Sequence, residues 1–131
     1  MVIDTSAFVA IFLAEPERQS YRNAIIAADT RLVSAVSIFE TGIVLEARIG
    51  EGAAREFDLF AIRSKIEVVA VDFDQAELAR SAWRRYGKGR HPAALNFGDC
   101  FAYALAKSSG EPILAKGTDF VRTDIEMCSV D

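Results

Sequence analysis

The sequence predicts an α/β fold of three layers: a short-stranded parallel sheet of about five strands, flanked by helices on both faces. Two observations predict it. Short apolar runs alternate along the 131 residues with longer stretches whose apolar residues recur at three- and four-residue spacing. The composition, 51% hydrophobic and 26% charged, supplies enough apolar surface to cover both faces of such a sheet and excludes a disordered chain. No stretch reads as a linker, repeat or low-complexity tract, so residues 1–131 are expected to form one domain.

Residues 1–4 form a first strand ending in Asp4. Helical spacing follows, and after Glu15-Pro16-Glu17 a second helix carries Tyr21, Ala24, Ile25 and Ala28 on one stripe. Residues 31–34 are a second strand, with Ser34 placed to cap the helix that starts at Ala35. Gly50 to Gly52 breaks that helix, and the next carries Ala53, Phe57, Phe60 and Ala61. Residues 67–71 are the clearest strand. Asp72 or Asp74 then caps a helix with Ala76, Ala79, Trp83 and Tyr86 inward. A basic loop spans 87–92, Asn96 opens a helix running through Ala106, and Gly110 closes it. Residues 113–115 and 127–130 are two further short strands. In such folds the working site lies beyond the carboxyl ends of the strands.

The exclusions are specific. The longest apolar run, Ala7 to Ala14, is far below the roughly 18 residues of a membrane span. Asp4 stands where a secretory signal would carry positive charge, and Cys100 and Cys128 lie in apolar surroundings as reduced core residues, so the expected location is cytoplasmic. The net charge of −4 argues against holding nucleic acid by bulk charge alone. Glycine-rich nucleotide loops and nucleophile elbows are absent.

Four carboxylates are the chemical signal. Asp4 follows the first strand, where it serves either as a helix cap or as a ligand. Glu40 shares a helix face with Val36, Ser37, Ile43, Val44 and Ala47, while Ile38, Phe39, Leu45 and Ile49 lie opposite, so its helix is expected to be buried nearly all round. An ionised carboxylate there needs an interior arginine or a metal ion. Asp99 stands three residues after Asn96 in a capping pattern, and Asp119 follows the strand at 113–115, where alone it would be a turn residue. In a parallel sheet all four places face one rim. Carboxylates gathered there suit Mg²⁺ or Mn²⁺, and two such ions about 4 Å apart would clamp a phosphodiester.

Four motifs stand in order along the chain: Met-Val-Ile-Asp-Thr-Ser-Ala at 1–7, Ser-Ile-Phe-Glu at 37–40, Leu-Asn-Phe-Gly-Asp-Cys-Phe-Ala-Tyr-Ala-Leu-Ala at 95–106, and Leu-Ala-Lys-Gly-Thr-Asp-Phe at 114–120, followed by Thr123-Asp124-Ile125. As a set they resemble a PIN domain over essentially the whole chain, specifically a VapC-type toxin ribonuclease of a toxin–antitoxin pair. The resemblance implies a PIN-like fold and Mg²⁺- or Mn²⁺-dependent endonucleolytic cleavage of RNA by metal-activated water, with inhibition of translation. It also implies neutralisation by a VapB-type antitoxin and self-pairing as a homodimer. Carried over by motif, Asp4, Glu40, Asp99 and Asp119 are the catalytic metal ligands, with Thr5, Ser6, Asn96 and Thr118 in supporting places. Many relatives have two adjacent acids before the phenylalanine of the fourth motif, and here Thr118 replaces the first.

Arg80, Arg84, Arg85, Lys88 and Arg90 fall in an acid-free stretch. It reads either as a solvated helix face or as an RNA-binding patch, with Arg84, Arg85, Lys88 and Arg90 its contacts. His91 is expected to be a loop or RNA contact, and Phe97 and Tyr103 core residues. Two other functions remain open on the residues alone. A phosphohydrolase with an aspartyl nucleophile usually has a second Asp two residues on, where this chain has Ser6. A non-catalytic module would use the acids only to dock a basic partner.

Overall fold

The computed structural model describes residues 1–130; Asp131, the last residue of the expected domain, lies outside the described residues. Four parallel strands, β1 (Val2–Ile3), β2 (Leu32–Ser34), β3 (Glu67–Val69) and β4 (Ile113–Leu114), lie in the order β3-β2-β1-β4. The helices between them are α1 (Thr5–Phe12), α2 (Arg18–Ala27), α3 (Ala35–Arg48), α4 (Glu51–Arg63), α5 (Phe73–Tyr86) and α6 (Phe97–Ser109). A 3₁₀ turn follows at Phe120–Arg122. The expected fifth strand is reduced to one parallel bridge, Met127 with Ile113. Among the described residues no helix is long and apolar enough to cross a membrane.

Strands β1, β2 and β4 each feed two cores, because successive side chains leave opposite faces of a sheet. Ile3, Val33 and Leu114 join Phe8, Ile11, Ile25, Leu45 and Phe57 on the α1–α4 side. Val2, Leu32 and Ile113 join Ala79, Ala82, Tyr103 and Leu105 on the α5–α6 side. The expected three layers follow from this division. Phe8 and Phe57 meet edge to face at 4.9 Å, which adds about 0.5–1.5 kcal/mol to their burial.

Local signals place most boundaries. Ser34 accepts from the Val36 amide, Asp72 from the Gln75 amide, and Gly110 closes α6 with a left-handed φ of 74°. Three expectations are corrected. The strand at 67–71 stops at Val69 and lies at the sheet edge, where Val68 is exposed. In α5 the inward residues are Gln75, Ala79 and Ala82; Ala76 and Trp83 face outward. And α3 is not buried all round: its inward stripe is Ser37, Thr41 and Leu45, leaving Phe39 68% exposed and Ile43 and Ile49 exposed beside it. An apolar helix lying on a sheet has only one face to bury, whatever its other faces contain.

Candidate active site

Asp4 sits where β1 ends, and its backbone amide donates to Leu114 O at 2.9 Å, so it is held between β1 and the neighbouring edge strand β4. It is buried, and its Oδ2 accepts from the Ser6 amide at 3.0 Å and from the Ser6 hydroxyl at 2.6 Å. The capping reading of Asp4 is met: its carboxylate starts α1, at the carboxyl end of β1. Ser6 Oγ in turn accepts from the Lys116 amide at 2.9 Å, tying the loop after β4 to Asp4. Burial pushes the Asp4 carboxyl above its ordinary range and the nearby Glu40 adds to this, against the bonds from Ser6.

Asp99 is the third residue of α6. It makes the expected capping box: Asn96 Oδ1 accepts from the Asp99 amide at 2.9 Å, while Asp99 Oδ2 accepts from the Asn96 amide at 3.0 Å. Burial raises its carboxyl to about 7; the bond from Asn96 opposes this, and the charges of Asp4, Asp119 and Glu40 reinforce it.

Glu40 is half-buried on the rim side of α3, and no ion pair to an arginine reaches it among the described residues. Its carboxylate lies against Gly98, where a Cβ would stand only 2.5 Å from both carboxylate oxygens. Gly98 was not singled out by sequence reasoning. The signal was there: a glycine in the first turn of an otherwise apolar helix marks a close approach.

Asp119 is exposed and caps the 3₁₀ turn without a side-chain bond, and Thr118 beside it is exposed. Thr5 is buried, and its hydroxyl donates to Ser37 O at 3.4 Å. The Ser37 and Thr41 hydroxyls are buried without a hydrogen-bond partner, features the apolar reading of α3 passed over. Lys116, another residue not singled out, pairs with Glu15 and, at 3.3 Å, with Glu17.

The four acids share the rim without closing on a single point: among the described residues no three His, Cys, Asp or Glu side chains form a group that could hold a metal ion. Like charges hold carboxylates apart. The donor set is nonetheless all oxygen and anionic, drawn from one sheet edge and two helices, with a glycine leaving room for Glu40. Its chemistry fits a hard divalent cation and not zinc.

The basic stretch divides. Arg84, Lys88 and Arg90 are exposed, with Arg90 Nε donating to Arg84 O at 3.3 Å. Arg85 is exposed as well but engaged, 3.6 Å from Asp124 and 4.9 Å from the Tyr86 ring centroid. His91 Nδ1 accepts from the Ala93 amide at 3.0 Å, so that ring shapes its own loop. Tyr103 is buried as expected, whereas Phe97 is 77% exposed. Its place at the first position of α6, ahead of the helix's buried side, explains the difference. Cys100 and Cys128 are free thiols, buried and half-buried.

Comparison with known proteins adds to this geometry. A family model described as PIN domain matches residues 1–126. Ribonuclease VapC30 of Mycobacterium tuberculosis is 54% identical over 125 residues, 95% of each chain. Ribonuclease VapC of Mycolicibacterium smegmatis is also 54% identical over 125 residues, 95% of this chain and 97% of the other. Among solved structures, M. tuberculosis VapC20, a sarcin-ricin loop cleaving toxin, superposes with a TM-score of 0.80 over 97% of both chains. At 19% identity that likeness speaks for the fold alone.

Proposed function

Because the chain belongs to the PIN domain family, and within it to the VapC-type ribonucleases, we propose that it is the toxin of a toxin–antitoxin pair, an endoribonuclease that depends on Mg²⁺ or Mn²⁺. The reading extends to inhibition of translation in the cytoplasm, control by a VapB-type antitoxin and self-pairing as a homodimer. The observation that carries it is geometric: Asp4 lies buried at the end of β1, Asp99 is set by its capping box in the first turn of α6, and the Glu40 carboxylate lies against Gly98 in that same turn. Asp4, Glu40 and Asp99, with Asp119, are the residues that would hold the metal. A divalent ion held by these residues would supply Lewis-acid activation of water and charge stabilisation at a phosphodiester.

The chain's own groups do the positioning. The Ser6 hydroxyl fixes Asp4, and through the Lys116 amide it also fixes the loop that carries Asp119. The Asn96–Asp99 box sets Asp99, and Gly98 admits Glu40. Arg84, Lys88 and Arg90 supply exposed positive charge for the RNA backbone; Arg85 contributes less, being paired with Asp124. Asp4 followed by Ser6 disfavours an aspartyl-phosphate mechanism, which the acid rim does not need.

Mapping RNA ends after brief induction tests the reading in cells. Wild type is expected to create new RNA ends that Asp4→Asn does not create. Identical end maps for the two proteins would overturn it.

A further inference from the structure

Phe97 and Trp83 are large apolar residues that the cores leave out: Phe97 is 77% exposed and Trp83 47%. With Phe101, Ala76 and Arg80 they line an apolar pocket of about 230 Å³ between α5 and α6. Phe97 is the first residue of α6 and Asp99 the third, so the pocket and Asp99 lie at the same end of α6, on different faces of its first turn. Phe101 braces Phe97 from the next turn, ring centroids 5.2 Å apart. The pocket lies below the ~300–1,000 Å³ of sites that enclose whole drug-sized ligands, and suits one flat ring system.

Its surroundings select among flat ring systems. The Arg90 guanidinium lies 4.5 Å from the Trp83 centroid, and Arg80, paired only at 3.4 Å with the exposed Glu77, lines the wall. Arg84 is exposed beside them on α5. Aromatic walls edged with arginines match an unpaired nucleobase, which brings its own phosphates; a buried protein side chain brings none. Resting on the ribonuclease reading above, we propose that this pocket receives one unpaired base of single-stranded RNA, stacked against Phe97 and Trp83 at the end of α6 that carries Asp99. It is a specificity subsite, distinct from the acids that do the chemistry.

Trp83 is the only tryptophan, so its fluorescence reports the pocket alone. The test titrates Asp99→Asn protein, which keeps the RNA intact, with a random-sequence RNA decamer and with an abasic decamer of equal charge. The RNA decamer is expected to quench Trp83 saturably and the abasic one to leave it unchanged. Adding Phe97→Ala is expected to weaken binding roughly 5- to 150-fold, the range for loss of a stacked base, and Phe97→Tyr to restore it. Unmoved Trp83 emission, equal quenching by the abasic decamer, or undiminished binding by Phe97→Ala would overturn the proposal. So would sedimentation in which Phe97→Ala turns a dimer into monomers while Trp83 emission follows protein concentration and not RNA; that result gives the pocket to a second copy of the chain. Wild-type protein that cuts RNA while Trp83 stays silent refutes the subsite alone. Wild-type protein that cuts no RNA with Mg²⁺ or Mn²⁺ refutes the ribonuclease reading, whatever Trp83 does.

Discussion

Gly98 and Glu40 carry the account at the scale of single residues. A methyl group at Gly98 would meet both Glu40 carboxylate oxygens at 2.5 Å, so Gly98→Ala must push that carboxylate off the rim. The helix itself gains from the change, since alanine is favoured over glycine by up to about 1 kcal/mol in a helix. We therefore expect Gly98→Ala to keep or raise its melting temperature while RNA cleavage falls about 10²-fold, the cost of misplacing a reacting group by an ångström. Full activity in that variant would show that Glu40 does not act where it sits. Glu40→Gln should likewise abolish cleavage and, by relieving repulsion with Asp4 and Asp99, leave the metal-free protein at least as stable. Marked loss of stability, read by thermal melting, would instead give Glu40 a structural role.

Asp124 links separate elements. It accepts from the Tyr103 hydroxyl and from Lys107 Nζ, both at 2.7 Å, with Arg85 at 3.6 Å, and so joins α5 and α6 to the segment after the 3₁₀ turn. Burial pushes its carboxyl up, but the bonds from Lys107 and Tyr103 and the charge of Arg85 outweigh it and hold the carboxyl below its ordinary range. A depressed native value means stability that is present above the unfolded value, about 3.9, and lost as pH falls through the folded one. Asp124→Asn should thus cost about 1–2 kcal/mol at pH 7, and the gap from wild type should close on acidification below pH 4 in denaturant titrations. A gap independent of pH would mean that Asp124 acts through packing. Element by element, capping signals were legible: Ser34, Asp72, the Asn96–Asp99 pair and Gly110 all act where the sequence puts them. What was not legible was which apolar stripe turns inward. Periodicity identifies a face only when the others are polar, and in α3 and around Trp83 they are not. The exposed Phe39, Trp83 and Phe97 are the residue of that ambiguity.

Across the whole molecule, charge is sorted by place. Removing the four rim acids from the 19 Asp and Glu leaves 15, equal to the 15 Lys and Arg, so the net −4 belongs to the rim. On the proposed reading, acidity that at first argues against a nucleic-acid partner is confined to the place where a metal would meet phosphate. The places of the acids were legible, since Asp4 and Asp119 follow strands, Asp99 opens a helix and Glu40 lies in the second turn of one; their failure to close into a ligand cage was not, since side-chain repulsion leaves no trace in spacing. If the exposed arginines and Lys88 track RNA, Arg84→Ala with Lys88→Ala should flatten the salt dependence of binding by about 1.4 in log–log slope, and Arg85→Ala by less. An unchanged slope would return that stretch to the solvated surface. The most direct measurement is RNA cleavage by the purified, antitoxin-free protein with and without Mg²⁺ or Mn²⁺. The account predicts endonucleolytic products that disappear with a chelator and with Asp4→Asn; cleavage that survives both, or none with either metal, would contradict it.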